Sequence, residues 1–354
     1  MIETANIKIT RTQQSRLSEV DFDNLPFGAV FSDHMLVAHY RNKQWEQASI
    51  KPYGNISLSP ATSMIHYGQS IFEGMKAFRN SNGEVMIFRP EMNWERINKS
   101  AERMCMPTIP REIFMDGIRQ LIDLDRNWVP TNEGSSLYIR PFLFGTDPML
   151  GVRPSDTYTF MIITSPVGPY YSKPLHLKIE TEFTRAALGG VGFAKAAGNY
   201  GAAMFPAKKA QEQGIDQLIW TDAKEHKYLE EAGTMNMMVV LDNTLLTPPL
   251  KSTILPGVTR DSFLTLAREA GYQVEERPIS TDEVIEGARN GKLQELFGVG
   301  TAATTAQVIR LTFGEETFEL PAIEGREISN KIGKKLLDIK KGEITDDHGW
   351  NIRF

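Results

Sequence analysis

"GGVGFAKAAGNYGAAMF", residues 189–205, sets one lysine, Lys195, in a run of glycine and alanine flanked by Phe193 and Tyr200. No acidic residue occurs from Gly189 through Lys209. A surface lysine usually has charged neighbours, whereas one in apolar surroundings loses hydration and its pKa falls. Lys195 is therefore either a turn lysine whose head reaches water or an amine kept nucleophilic for chemistry. Lys76 in "FEGMKAF" (72–78) keeps similar company, so environment alone does not choose between them.

The 354 residues around this stretch are enough for about two domains. Hydrophobic content of 41% and charged content of 23% fit an ordinary globular chain. A net charge of −5, with Lys and Arg scattered, leaves no footprint for nucleic acid or a membrane surface. The amino-terminal "MIETANIKITRTQQSR" lacks the apolar core of a signal peptide, and no run is long and apolar enough to span a bilayer. Cys105 is single and the six histidines form no HExxH pair, which excludes an intramolecular disulfide framework and points to no metal. The expectation is a soluble, cytoplasmic, metal-independent protein.

Punctuation divides the chain. "TSPVGPYYSKP" collects Pro166, Gly168, Pro169 and Pro174 and reads as a linker over 165–175. It separates a smaller α/β domain, 1–164, from a larger one, 176–354. Before it, "TYTFMIITS" reads as a buried strand; after it, "LHLKIETEF" alternates like a half-buried one. "GEVMIFRP" predicts a strand ending at Arg89 and Pro90, and "EMNWERINKSAERM" a helix with Pro90 suited to its first position. In "SLYIRPF", Tyr138 and Arg140 share one strand face, and Pro141 argues for an edge, a bulge or the strand's end. "DQLIW" and "MNMMVVLDNTLLT" read as strands, and "TRDSFLTLAREAG" as a helix closed near Gly271. The class is α+β or α/β, with two domains and a ligand site expected between them.

Three further stretches carry chemistry. In "YLEEAGTMN" (228–236) a carboxylate precedes a turn; beside a lysine, such a group can hold the protonated ring nitrogen of pyridoxal phosphate, though alone it reads as a turn. "LPGVTRDSF" sets Gly257, Val258 and Thr259 at a helix start, where N–H groups favour an anion. "FGVGTAATTAQ" (297–307) offers Gly298 and Gly300 for close backbone approach and Thr301 as a hydroxyl donor, and Arg89 would be a planar charged partner for a phosphate. "GVGTAA" also fits the dinucleotide pattern, which keeps a nicotinamide-dependent oxidoreductase as an alternative. A noncatalytic binding module explains none of these stretches together.

In order, "SDHMLVAHY", "HYGQSIFEGMKAF", "FRPEMNWERI", "LYIRPFLFG", "GGVGFAKAAGNYGAA", "EEAGTMN", "LPGVTRDS" and "FGVGTAA" closely resemble branched-chain amino acid aminotransferases, pyridoxal phosphate enzymes of fold type IV. The likeness runs from about residue 27 to beyond 300. It implies a two-domain fold like that of D-amino acid aminotransferases, with the cofactor between the domains. The implied reaction is reversible transfer of the amino group of L-leucine, L-isoleucine or L-valine to 2-oxoglutarate. Lys195 would be the catalytic lysine, joined to pyridoxal 5'-phosphate as an imine. Tyr200 would meet the cofactor's phenolic oxygen. Glu231, rather than Glu230, would pair with the pyridine nitrogen, with Thr234 in the same turn. Arg89, Val258, Thr259, Gly300 and Thr301 would hold the phosphate. Phe31, Tyr67, Phe72 and Tyr138 would wall the substrate side chain, and Thr301 and Ala302 would meet its α-carboxylate. Arg140, from its face shared with Tyr138, would meet glutamate's distal carboxylate. Val152 would reach a neighbouring subunit's pocket, implying a homodimer. The chain departs from the mammalian members' C-x-x-C pair at Ala303 and Ala306, so thiol redox control there is absent. D-amino acid aminotransferase and aminodeoxychorismate lyase are the alternatives within the fold.

Overall fold

The computed structural model describes residues 6–171 and 173–354. Residues 1–5 of the amino-terminal stretch and Ser172 of the proline-rich linker lie outside the described residues. The chain divides into two compact units: residues 1–170 with 194–198 and 339–354, and residues 171–193 with 199–338. Residues 194–198 and 339–354 thus group with the first unit rather than with 176–354.

The first unit is built on β1 (Lys8–Ile9), β2 (His34–Arg41), β3 (Gln44–Trp45), β4 (Ser49–Pro52), β5 (Ser70–Phe72), β6 (Met75–Arg79), β7 (Val85–Phe88), β8 (Ser136–Gly145) and β9 (Tyr158–Val167), with a strand at Asn351–Arg353. The order is β1-β4-β2-β9-β8-β6-β7 and then Asn351–Arg353, with β3 added to β2 and β5 to β8. Helices α1 (Ser63–Tyr67), α2 (Pro90–Arg103) and α3 (Arg111–Leu124) accompany it. α3 buries Ile113, Phe114, Ile118, Leu121 and Ile122, an apolar stripe at helical spacing, into a core shared with Leu36, Trp128 and Phe160. Each such side chain contributes about 1.5–3 kcal/mol on burial. α2 begins at Pro90, as its fixed φ favours. Its buried face is mixed: Ile97 and Ala101 are apolar, but Asn93, Arg96 and Ser100 also point inward. Those polar groups need partners, and the candidate site provides them.

Pro141 neither ends β8 nor lies at an edge. β8 pairs in unbroken register with β9, Pro141 opposite Ile162. On its other side β8 meets β6 through residues 137–139 and β5 through residues 142–144. The Glu73 N–H donates to the Pro141 carbonyl at 2.8 Å. N–H and C=O of one strand residue point the same way, so the missing proline N–H faces the break between β5 and β6, where no ladder bond is lost.

The second unit contains β10 (Leu175–Ile179), β11 (Gln217–Thr221), β12 (Leu229–Ala232), β13 (Met235–Leu241), β14 (Thr244–Thr247), β15 (Val274–Glu276), β16 (Leu293–Val299), β17 (Thr305–Phe313) and β18 (Glu316–Glu319). The pairing path β12-β11-β10-β17-β16-β13 returns to β12, so these strands close on themselves. Closure leaves no edge within the ring. Leu177, Ile219, Met237, Val239, Leu296, Val308 and Leu311 form its apolar core. Helices α4 (Ala197–Gln211), α5 (Val258–Glu269), α6 (Thr281–Asn290) and α7 (Ile328–Lys341) follow in chain order. "MNMMVVLDNTLLT" is a hairpin, turned at Asp242 and Asn243, both at positive φ as a tight two-residue turn requires.

Candidate active site

In the first unit, the segment carrying Lys195 is pinned from both sides. The Lys195 N–H donates to Ser100 Oγ of α2 at 3.0 Å, and the Lys195 carbonyl accepts the Phe72 N–H of β5 at 3.1 Å. Ala196 makes a bridge with Ile71. Ser100 Oγ donates in turn to the Arg96 carbonyl at 3.0 Å. The inward polar stripe of α2 thus has one of its partners in the lysine backbone.

Its other partner is Glu73, which is fully buried. Arg96 donates to it through Nε at 2.7 Å and Nη2 at 2.8 Å, and Asn93 Nδ2 at 2.7 Å. Burial pushes the Glu73 carboxyl up, but the Arg96 charge and hydrogen bonds, the Lys195 charge and Asn93 outweigh it and hold it below the usual carboxylate range.

The Lys195 ammonium nitrogen lies 5.0 Å from the Phe72 ring centroid, and the Arg140 guanidinium lies 4.6 Å from the same ring. Arg140 Nη2 donates to Tyr138 Oη at 3.1 Å, while its buried Nε has no hydrogen-bond partner among the described residues. Tyr138 fits only because residue 74 is glycine: a Cβ there would sit 2.1 Å from its hydroxyl. Phe72, Tyr138, Arg140 and Lys195 are therefore one cluster, apolar in its walls and cationic at two points. Lys76, on β6 opposite Tyr138, is pushed down by burial to about 8. Phe31 makes its ring contact elsewhere, stacking on Tyr53 at 4.9 Å. Tyr67 ends α1, partly exposed. Val152, 90% exposed, stands on a loop whose base is held by Asp147, which accepts from Thr157, Asp156 and Arg153. Arg89 caps the start of α2 in the left-handed region, its guanidinium 4.9 Å over the Trp350 ring.

In the second unit, Glu231 on β12 lies opposite Asn236 on β13, and Gly233 and Thr234 make the turn between them. The Glu231 carboxylate is buried. It meets Arg185 Nη2 at 3.0 Å and accepts the Leu255 N–H at 2.9 Å. Glu230, its neighbour, is pushed up by burial, with Thr253 and Arg185 opposing. The two adjacent carboxylates thus differ: Glu231 is ion-paired with Arg185, whereas burial raises the pKa of Glu230. Asn236 Nδ2 donates to the Leu255 carbonyl at 3.0 Å. A Cβ on Gly257 would lie 2.0 Å from Asn236 Oδ1, so only glycine lets this loop approach. Gly257 is also the N-cap of α5, and it brings no capping side chain, with Val258 and Thr259 as the first helical residues. The positive end of that helix suits an anion. A Cβ on Gly300 would come within 3.2 Å of the Thr234 carbonyl, which sets the 300–304 loop carrying Thr301 and Ala302 against the hairpin turn. Tyr200 lies half-buried in the first turn of α4. A carboxylate held beside a guanidinium, an anion-favouring helix start and two glycine cradles are a donor set suited to a phosphorylated ring base.

"GVGTAA" does not open a helix. β16 ends at Val299, and the chain returns through the loop as β17, antiparallel to it. The strand–turn–helix context of a dinucleotide fingerprint is missing here. Glu73, Arg185 and Trp350 carry no signal in the sequence that marks them for the site, whereas Arg96 and Ser100 have one in the polar residues at helical spacing in "NWERINKS". Among the described residues, no helix is long and apolar enough to cross a membrane, and no group of His, Cys, Asp or Glu could hold a metal ion.

Comparison with known proteins gives the family of the chain. The amino-transferase class IV family pattern matches residues 70–311, and the chain belongs to that family. Branched-chain-amino-acid aminotransferase 2 of Bacillus subtilis (strain 168) is 43% identical over 352 residues, 98% of this chain and 96% of its own length. Among solved structures, the branched-chain aminotransferase of Thermoproteus uzoniensis, solved with norvaline, matches with a TM-score of 0.76 at 22% identity, over 90% of this chain and 99% of that one. The branched-chain amino acid aminotransferase of Thermobaculum terrenum, solved in its PLP-form, matches with a TM-score of 0.70 at 21% identity, over 91% of this chain and 98% of that one.

Proposed function

We propose that this branched-chain amino acid aminotransferase moves the amino group of L-leucine, L-isoleucine or L-valine reversibly to 2-oxoglutarate, using pyridoxal 5'-phosphate. The observation that carries the reading is the Phe72 ring shared by Lys195 and Arg140. One wall then serves an apolar side chain while a cation stands ready for a carboxylate.

The cofactor, when bound, supplies an electron sink that acidifies the substrate's Cα–H. Lys195 Nζ takes that proton and returns it, as general base and then acid. Its backbone clamp to Ser100 and Phe72 keeps the amine's origin fixed while the side chain moves. Glu231, held beside Arg185, would keep a proton on the pyridine nitrogen. Tyr200 would donate to the cofactor's phenolic oxygen. Arg89, Val258, Thr259, Gly300 and Thr301 would hold the phosphate, and Thr234 packs against Gly300. Phe72, Tyr138, Tyr67 and Phe31 exclude water from the substrate's side chain, Thr301 and Ala302 meet its α-carboxylate, and Arg140 meets the distal carboxylate of glutamate. Val152 and Leu150, exposed on a loop braced by Asp147, favour insertion into a second copy of the chain.

The test is a visible spectrum of the cofactor-loaded protein on adding L-leucine with no 2-oxo acid, with D-alanine in parallel. Loss of the absorbance band with L-leucine alone is expected. A response to D-alanine alone would overturn the substrate assignment.

A further inference from the structure

We propose that Trp350 is a positioning residue for the cofactor's phosphate: the 346–353 segment fixes Arg89 in a strained backbone conformation, and the Trp350 ring restrains its guanidinium. The proposal rests on the reading that Arg89 holds the phosphate.

Arg89 has φ 47 and ψ 47, the left-handed region, which a side chain with a Cβ rarely adopts. It also precedes Pro90, whose ring crowds the residue before it. Such a conformation persists only where its surroundings hold it. Here the Arg89 N–H donates to the Trp350 carbonyl at 2.7 Å, and the Arg89 carbonyl accepts the Met92 N–H at 3.2 Å. The first bond extends the ladder in which Asn351, Ile352 and Arg353 pair with Phe88, Ile87 and Met86 of β7. The same residue therefore sets both the backbone and the side chain of Arg89.

Trp350 is itself fixed. His348 stacks on its ring at a centroid distance of 4.1 Å, and Phe88 meets it edge-on at 5.6 Å. The turn before it is held by Asp346, whose Oδ2 accepts the Asn351 N–H at 2.7 Å, with Gly349 at φ +64. A guanidinium lying over an indole is attracted through its face. With its Cζ 4.9 Å from the Trp350 ring centroid, the guanidinium is restrained to one region beside the start of α2, and its planar fork suits two oxygens of one phosphate.

The experiment measures equilibrium binding of pyridoxal 5'-phosphate and of pyridoxal, which has the same ring and aldehyde without the phosphate, to cofactor-stripped protein. Trp350→Leu is compared with Trp350→Phe, Arg89→Ala and the Arg89→Ala/Trp350→Leu pair, with Trp350→Met in reserve should leucine impair folding. Trp350→Leu is expected to weaken pyridoxal 5'-phosphate about tenfold, the effect of ~1.4 kcal/mol, and pyridoxal less than about twofold. Trp350→Phe restores most of the loss, because an aromatic face returns, and Trp350→Leu adds nothing once Arg89 is alanine. Equal weakening of both ligands, or additive losses in the pair, would make Trp350 merely structural and overturn the proposal. If Arg89→Ala weakens pyridoxal 5'-phosphate and Trp350→Leu does not, this proposal alone fails. If Arg89→Ala itself has no effect, the phosphate reading of Arg89 falls and the proposal with it.

Discussion

Replacing Arg96 with methionine tests the polar stripe of α2 directly. Methionine keeps an unbranched apolar stem, so the change removes the charge and with it the bonds to Glu73 from Nε at 2.7 Å and Nη2 at 2.8 Å. Glu73, with no exposed surface, would keep the Asn93 bond at 2.7 Å and the Gly74 N–H at 3.1 Å. Removing one partner of a buried ion pair costs about 3–5 kcal/mol, because the other charge stays behind in the interior. The two remaining donors and the Lys195 charge place the expected loss near the lower end of that range at neutral pH. In the wild type the Glu73 carboxyl is held below its ordinary range. Its stabilisation is therefore complete above the unfolded carboxyl pKa of ~4.3 and is lost as pH falls through the lower folded value. In Arg96→Met, burial would dominate and reverse that sign: the folded pKa rises, and the penalty shrinks as acid neutralises the carboxylate. Adding Glu73→Gln should recover most of the loss, since neither charge remains. Urea unfolding followed by tryptophan fluorescence at neutral and mildly acidic pH reads this out, Trp128 being buried in the same core. A loss under about 1 kcal/mol, well short of the cost of an orphaned buried charge, would refute the reasoning. So would no recovery in the double variant, or a penalty that grows in acid.

Arg140→Ala should lower kcat/KM for 2-oxoglutarate by roughly 10–100-fold, the worth of a charge-assisted hydrogen bond, and for leucine far less; equal losses in steady-state kinetics would make Arg140 structural. Lys195→Ala should reduce turnover by at least ~10²-fold while cofactor still binds, and wild-type turnover would exclude Lys195 as the base. Burial, and then the charge of Lys76, pushes Lys340 down to about 7. The unfolded chain holds that proton up to ~10.4, so stability should rise with pH from about 7 upward. Lys340→Met should flatten that rise in Tm measured from neutral to alkaline pH, and an unchanged slope would count against it.

Local signals made several elements legible. Pro90 and the residues after it give α2, Pro256 and Gly257 announce α5, and the glycine in "EEAGTMN" marks the turn joining β12 to β13. Pro141 misled because a proline's cost depends on which neighbour its absent N–H faces, and that neighbour is set by the break between β5 and β6. Arg185 and Glu231 are far apart in the chain yet form one ion pair, and Glu73, in the connection between β5 and β6, meets Arg96 of α2. Such partners are chosen by tertiary packing, which spacing does not encode. Asn351–Arg353 is three residues long, too short for any alternation to show, and only its pairing with β7 makes it a strand.

That strand bears on the order in which the chain is made. β7 emerges from the ribosome early, but its partner follows only after all of residues 171–338 have been translated. The second unit needs no such wait: apart from the excursion at 194–198, it is contiguous, and it can fold while the first still offers an unpaired strand edge. A nascent chain of this protein therefore carries a period of aggregation risk set by the length of its second unit, and holdase binding near Val85–Phe88 would be the natural protection during that interval.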